Sequence, residues 1–298
     1  MIIQRKENFP QPSFLRQAAQ NLMTDQPLIL LTNDDGIDAP GLRALYDAVV
    51  PFGRIEIVAP ARQRSAVSHA ISVYQELLCT RVFDDAGRPW GYALDAMPAD
   101  CVKLAVARLL DRKPDLVISG INPGANLGCN ILYSGTASAA REAAMYGLPA
   151  LAVSVQLHPA KYPALPNFDA AATYLRRLVP EVLRHGLPAG TLLNINTPNR
   201  PPEEIQGVMV SRQGRTFFTD RFELLTGDET TSVFRNVGDS VVRGDSRPPD
   251  ADDVVVEAGC ISVTPLQFDL THHASRQELS DWLPGMDGPR GSTPSESK

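Results

Sequence analysis

Three short segments hold the residues that could do chemistry. The first is Thr32-Asn33-Asp34-Asp35-Gly36, the second Ala59-Pro60-Ala61-Arg62-Gln63-Arg64-Ser65, and the third Ser119-Gly120-Ile121-Asn122-Pro123-Gly124. Adjacent carboxylates such as Asp34 and Asp35 repel each other unless a cation or proton lies between them, and their oxygens suit a hard divalent ion. The tripeptide alone equally describes a turn with a capping aspartate. Asn122 adds a neutral oxygen that could complete a metal shell, although a loop rich in Gly and Asn also forms local Asx turns. Further on, Tyr133-Ser134-Gly135-Thr136 opens an Ala-rich run, so hydroxyls and free N–H groups meet at a helix N-terminus, a place suited to phosphate. Capping by Ser134 or Thr136 is compatible with that role. Ser65 could lend a hydroxyl to the metal. His69 could relay a proton, but packing is the favoured reading for it, and His272 and His273 receive no role.

These segments need a frame. Leu28 to Leu31 is too short for a helix and apolar on both faces, as a buried parallel strand is. A helix over Pro40 to Val50 and a strand over Ile55 to Ala59 complete one βαβ unit. Leu77 to Leu94 reads as a hairpin turning at Asp84-Asp85-Ala86-Gly87. The spacing then predicts a helix over Pro98 to Leu110, a strand over Asp115 to Ser119, a helix over Gly135 to Tyr146 ended by Gly147, and a strand over Ala150 to Val155. A helix over Phe168 to His185 and a strand over Thr191 to Ile195 follow. The first three segments thus each fall just after a strand, where ligands collect in open parallel sheets.

The expected fold is α/β: a Rossmann-like three-layer parallel-sheet core over residues 27 to 200, with a β-rich C-terminal arm and closing helix over 201 to 283. Strands are expected in the arm at Gly207 to Arg212, Val241, Val254 to Val256 and Cys260 to Thr264. Residues 1 to 26 form a polar extension, and 284 to 298, rich in Pro, Gly and Ser, a disordered tail.

Composition narrows the function. With 43% hydrophobic and 21% charged residues among 298, the chain is that of a globular protein with a sizeable core. A net charge of -6 offers no basic field for a polynucleotide groove. The cysteines Cys79, Cys101, Cys129 and Cys260 form neither a zinc spacing nor a disulfide framework. Neither a membrane span nor a signal peptide is apparent, so a cytoplasmic location is expected. Paired acids, neutral oxygen ligands and an anion seat in one crevice describe metal-assisted hydrolysis of a phosphate ester, with Mg²⁺ or Mn²⁺ favoured over Zn²⁺ by the lack of Cys and His ligands.

Seven ordered motifs carry a family resemblance: LLTNDDGIDAPGL, VAPARQRSAVSHAIS, MPADCVKLA, PDLVISGINPGANLG, YSGTASAAREAAMYGLPALAVS, LLNINTP and ISVTPLQFDLT, spanning most of Leu28 to Thr271. In these the chain resembles the SurE family of survival-protein nucleotidases. The resemblance implies a cytoplasmic 5'-nucleotidase that hydrolyses nucleoside 5'-monophosphates through metal-activated water, with some members accepting 3'-monophosphates and short polyphosphate. It implies one divalent cation per subunit on Asp34, Asp35, Ser65 and Asn122, a catalytic set of Asp34, Asp35 and Asn122, and substrate phosphate near Asn126, Ser134, Gly135 and Thr136. It also implies a homodimer or homotetramer built through an exchanged C-terminal arm. The chain departs from the family pattern at Ala96-Met97, where many relatives carry Gly-Thr, and at Ala137-Ser138, where Val-Gly is usual.

Two other classes compete. A receiver-like signalling module also places paired acids after its first strand, but it needs a phosphoacceptor Asp after the third, where this chain has Ser119-Gly120-Ile121-Asn122. A haloacid-dehalogenase-type phosphatase needs DxDx[TV], whereas Asp34 and Asp35 are adjacent. A catalytically idle nucleotide-binding module is separated from an enzyme only by turnover.

Overall fold

The computed structural model describes residues 26–157, 166–238, 240–242 and 247–283. The polar N-terminal extension, apart from Gln26, and the expected disordered tail lie outside the described residues. Those described fall into two units, one ending at Gln267 and the other beginning at Phe268.

In the first unit the strands are β1 (Leu28–Thr32), β2 (Arg54–Pro60), β3 (Cys79–Phe83), β4 (Pro89–Leu94), β5 (Leu116–Pro123), β6 (Ala150–Val155), β7 (Thr191–Thr197), β8 (Gly207–Val210), β9 (Thr216–Phe218), β10 (Phe222–Gly227), β11 (Ser232–Asn236), β12 (Ser240–Val242) and β13 (Cys260–Gln267). Its helices are α1 (Pro40–Val49), α2 (Pro98–Leu104), α3 (Gly135–Met145), α4 (Asp169–His185) and α5 (Asp252–Glu257). Nine strands form one mixed, mostly parallel sheet in the order β3-β4-β2-β1-β5-β6-β7-β13-β8. Only the β3–β4 and β7–β13 pairs are antiparallel.

Both faces of this sheet are covered, which explains why its central strands are apolar without alternation. In β1, Ile29 and Leu31 join a cluster with Leu42 and Leu45 of α1 and Leu175 and Val179 of α4. Leu30 faces the other way, into a cluster with Val102 of α2 and the alanines of α3. The small side chains of α3, Ala137, Ala139, Ala140, Ala143 and Ala144, let that helix lie close to the sheet. The result is the expected three-layer α/β architecture.

The sheet order reverses beside β1. From β1 the chain steps outward to β2, then crosses back to β5 on the other side and continues to β6 and β7. A crevice at the carboxyl ends of β1 and β5 follows from that reversal. Register between β5 and β6 shifts between Ser119 and Asn122, so the end of β5 bulges at the rim of this crevice.

Several expectations change in detail. Val254 to Val256, expected as a strand, lies inside α5. Asp252 and Asp253 fill the helix's first turn, where acids are favourable, and Val255 and Val256 are buried. Three apolar residues are too few to distinguish a period of 2 from one of 3.6. The helix from Pro98 tightens into α2 and then widens into a π-helical turn over Ala105–Leu109. The antiparallel β10–β11 hairpin was not foreseen, while β8 and β13 extend the central sheet. In the second unit, helix α6 (Arg276–Trp282) follows a 3-10 turn at His273–Ser275, where Asp269 accepts a hydrogen bond from His273 Nε2 at 2.8 Å.

Close approach of backbone sets one clear test. A Cβ on Gly41, in the first turn of α1, would lie 1.9 Å from the carbonyl oxygen of Ile121 in the β5 bulge. Gly41→Ala is expected to destabilise the protein by about 1–3 kcal/mol through overpacking. This should lower the urea midpoint without changing the slope of unfolding free energy against denaturant.

Candidate active site at the ends of β1 and β5

The turn after β1 is stiffened by one side chain. Asn33 Nδ2 donates to the Gly36 carbonyl at 2.9 Å, and Asn33 Oδ1 accepts from the Gly36 N–H at 3.2 Å. Gly36 has φ +109°, a conformation open to glycine, and the Ile37 N–H donates to the Pro60 carbonyl at 2.9 Å. This closed turn presents Asp34 and Asp35 to the crevice.

Asp34 is buried, and its Oδ1 accepts from Thr136 Oγ1 at 2.5 Å, a residue 102 positions away. Burial pushes its pKa up, while the Thr136 hydroxyl and the amides of Gly135 and Thr136 pull it down, leaving it raised. The positive end of α3 therefore rests on Asp34. Gly135 is required here because a Cβ at that position would lie 2.8 Å from Asp34 Oδ2. Asp35 is pushed up to about 6, first by burial and then by the charge of Asp34, with only a long hydrogen bond from Gln63 Nε2 at 3.4 Å opposing. Its other oxygen, Oδ2, is buried without a hydrogen-bond partner.

The neighbouring strand supplies Asn122. Its Nδ2 donates to the Gly124 carbonyl at 2.5 Å, which orients the amide and leaves Oδ1 as an acceptor. Ser65 is exposed on the loop after β2, and the N–H of the preceding residue, Arg64, donates to the Asp34 carbonyl at 2.7 Å. The same loop is held at its far end. Ser68 Oγ donates to the Leu132 carbonyl at 2.7 Å, His69 Nε2 pairs with Glu142 Oε2 at 2.8 Å, and the Ser72 N–H is shared by both Asp100 oxygens at 3.0 and 3.1 Å. Burial pushes Glu142 up, yet the His69 hydrogen bond and the Lys103 charge outweigh it and hold the carboxyl below its usual range. His69 is thus tied to a buried partner on α3.

Ser134 caps α3: its Oγ accepts from the Ala137 N–H at 3.0 Å, so its own O–H stays available to donate. Asn126 is gripped by β6 and β7. Asn196 Oδ1 accepts the Asn126 N–H at 2.8 Å, Asn196 and Asn194 Nδ2 donate to its carbonyl at 3.1 and 2.9 Å, and Asn126 Nδ2 donates to Ser154 Oγ at 2.9 Å. One N–H of the Asn126 amide remains for a ligand. Asn194, Asn196, Ser154 and Glu142 were not singled out from sequence. The one readable signal was the N-I-N alternation in β7, which puts two amides on the same face of a strand.

A divalent cation fits this donor set. Two carboxylates with raised pKa values, one with an unpartnered buried oxygen, an oriented amide oxygen and a hydroxyl loop offer only hard oxygen ligands. Among the described residues, no three His, Cys, Asp or Glu side chains gather as a metal site, so the cation would depend on neutral oxygens as well as the acid pair.

Comparison with known proteins decides the family. Residues 29–220 match the sequence profile described as "Survival protein SurE". The chain belongs to the SurE family. It is 44% identical over 254 residues to the 5'-nucleotidase SurE of Desulfatibacillum aliphaticivorans, covering 85% of this chain and 97% of that one. It is 42% identical over 256 residues to the 5'-nucleotidase SurE of Moorella thermoacetica, covering 86% and 96%. The crystal structure of the SurE protein from Aquifex aeolicus superposes with a TM-score of 0.73 at 35% identity, covering 86% of this chain and 99% of that one.

The acid pair has a consequence for stability. Without a cation, Asp35 holds its proton more tightly folded than unfolded, so unfolding releases a proton between about pH 4 and 6 and stability falls as pH rises through that window. In chelator at pH 7.5, Asp35→Asn is expected to be more stable than the wild type by about 1–2 kcal/mol, allowing for solvent screening, and to lose most of this pH dependence. Urea denaturation from pH 4 to 8 measures both effects.

Proposed function

We propose that the chain is a cation-dependent phosphomonoesterase that hydrolyses nucleoside 5'-monophosphates to nucleoside and phosphate. The observation that carries this reading is the acid pair, Asp34 buried and Asp35 half-buried with one oxygen unpartnered, set against the N-terminus of α3. The 5'-nucleotidase relatives, matched over nearly their whole length, support the substrate class. Asp34, Asp35, Ser65 and Asn122 would hold the cation. When bound, Mg²⁺ or Mn²⁺ there supplies a Lewis acid for the attacking water and offsets charge on the phosphoryl oxygens.

The chain's own groups do the rest. Asp34 and Asp35 keep other anions out of the crevice until they are neutralised. The free O–H of Ser134 and the second N–H of Asn126 remain as donors for phosphate oxygens, while the Gly135 and Thr136 amides face Asp34 and add only the positive field of the α3 N-terminus. Thr136 spends its hydroxyl on Asp34 and so positions a ligand, not the substrate. Water attacks phosphorus, the P–O5' bond breaks, and the proton that the water gives up ends on the leaving O5', yielding nucleoside and hydrogen phosphate.

We extend the reading to 3'-monophosphates and short polyphosphate as secondary substrates, a cytoplasmic location and a homodimer or homotetramer joined through the arm. None of the helices among the described residues is long and apolar enough to cross a membrane. For organisation, we propose a catalytic core over 27–200 and an oligomerisation arm over 201–283.

Phosphate release from a panel of nucleoside monophosphates tests the reading. Chelation is expected to abolish turnover and Mg²⁺ or Mn²⁺ to restore it. Asp34→Asn should lower kcat/KM about a thousandfold or more, in line with losing a group central to charge stabilisation. Direct attack by water predicts no phosphoenzyme. Absence of turnover in folded, cation-supplied protein would leave a nucleotide-binding module.

A further inference from the structure

The loop that carries Asn126 is held from a second direction, by residues outside the α/β core. The N–H of Gly128 donates to Asp252 Oδ2 at 2.9 Å, and its carbonyl accepts from Gln213 Nε2 at 2.9 Å. Gly128 has φ +54°, and a Cβ there would lie 2.5 Å from the Thr216 nitrogen, so β9 presses directly on this peptide. Asp252 is fully buried, and its Oδ1 accepts the N–H groups of Gly214 and Asp253 at 2.9 and 2.8 Å. Three backbone donors thus converge on one carboxylate. An ionised carboxylate suits this geometry because both oxygens only accept; an amide would turn an NH₂ toward one of the donors.

The Asn126–Gly128 loop is therefore gripped at both ends. Asn194 and Asn196 fix the backbone on both sides of Asn126, and Asp252 and Gln213 fix it on both sides of Gly128. We propose that Asp252, assisted by Gln213, is a positioning residue for substrate binding: it makes the segment after β8 part of the substrate loop and sets where the Asn126 amide meets the phosphate. The inference rests on the reading that Asn126 contacts the substrate phosphate. Asp252 touches neither substrate nor cation. Its loss should weaken ground state and transition state alike, raising KM with little change in kcat.

The test uses the full-length, cation-supplied protein with the variants Asp252→Asn and Gln213→Ala. Gln213 is exposed, so its truncation spares the fold even if the buried substitution does not. Losing a buried charge-assisted hydrogen bond predicts a KM for nucleoside monophosphate roughly tenfold higher in Asp252→Asn, with a few-fold rise in Gln213→Ala and kcat within about twofold. Inorganic phosphate should inhibit more weakly by the same factors. Independently of turnover, amide hydrogen exchange at Gly128 should quicken at least about fivefold in both variants, because Asp252→Asn weakens the acceptor of that N–H and Gln213→Ala frees the following carbonyl and loosens the loop. Wild-type KM and wild-type exchange at Gly128 in either folded variant would overturn the inference. If the wild-type protein hydrolyses no monophosphate, the functional reading fails on its own, and unchanged exchange would still overturn the positioning role while faster exchange would support it.

Discussion

Two carboxylates on consecutive residues, Asp34 and Asp35, stand at the end of a wholly buried strand, and the architecture around them is arranged to tolerate that charge. Burying one ionised acid is costly, and burying a second beside it more so. Three compensations are present: the hydroxyl of Thr136, the amides at the start of α3, and the closed Asn33–Gly36 turn that fixes where the carboxylates point. They do not suffice, since both acids keep raised pKa values and one Asp35 oxygen has no partner. The remaining imbalance is what a cation at the proposed site would relieve.

That constraint explains the surrounding fold. The sheet order reverses next to β1, so β5, which carries Asn122, pairs directly with the strand that ends just before the acids, and the loop after β2 is tied to them by the Arg64 N–H donating to the Asp34 carbonyl. The α3 N-terminus can reach Asp34 only because residue 135 is glycine. Farther out, side-chain amides on β7 and the Asp252 carboxylate of α5 hold the Asn126–Gly128 loop by its backbone. The site is a set of loops, each fixed by hydrogen bonds from a different element, which suits a chemistry that depends on placing charge.

Local features were legible in the sequence and distant pairings were not. Leu28 to Leu31 and Ala150 to Val155 are apolar on successive residues, and Gly135 to Met145 is an Ala-rich run opened by Ser134 and closed near Gly147, so β1, β6 and α3 could be placed closely. The acid pair, Asn122 and Ser65 stood out because their residue types follow apolar strand-like runs, and the 134–136 segment because it opens an Ala-rich helix. By contrast, His69 meets Glu142 across 73 positions, Asn126 meets Asn196 across 70, and Gly128 meets Asp252 across 124. No local period encodes such contacts. Val254 to Val256 misled because three valines favour a strand intrinsically, while two preceding aspartates and burial of one face make a helix.

Calorimetric titration of Mn²⁺ into the chelated protein at pH 6, in two buffers of different ionisation enthalpy, shows whether the Asp34–Asp35 pair holds the cation. Burial and the charge of Asp34 push the Asp35 carboxyl up to about 6, so one cation per chain is expected to bind with proton release, and Asp35→Asn is expected to lose both binding and most of that release. Binding unaffected by Asp35→Asn would show that the cation is held elsewhere and that the acid pair serves another purpose.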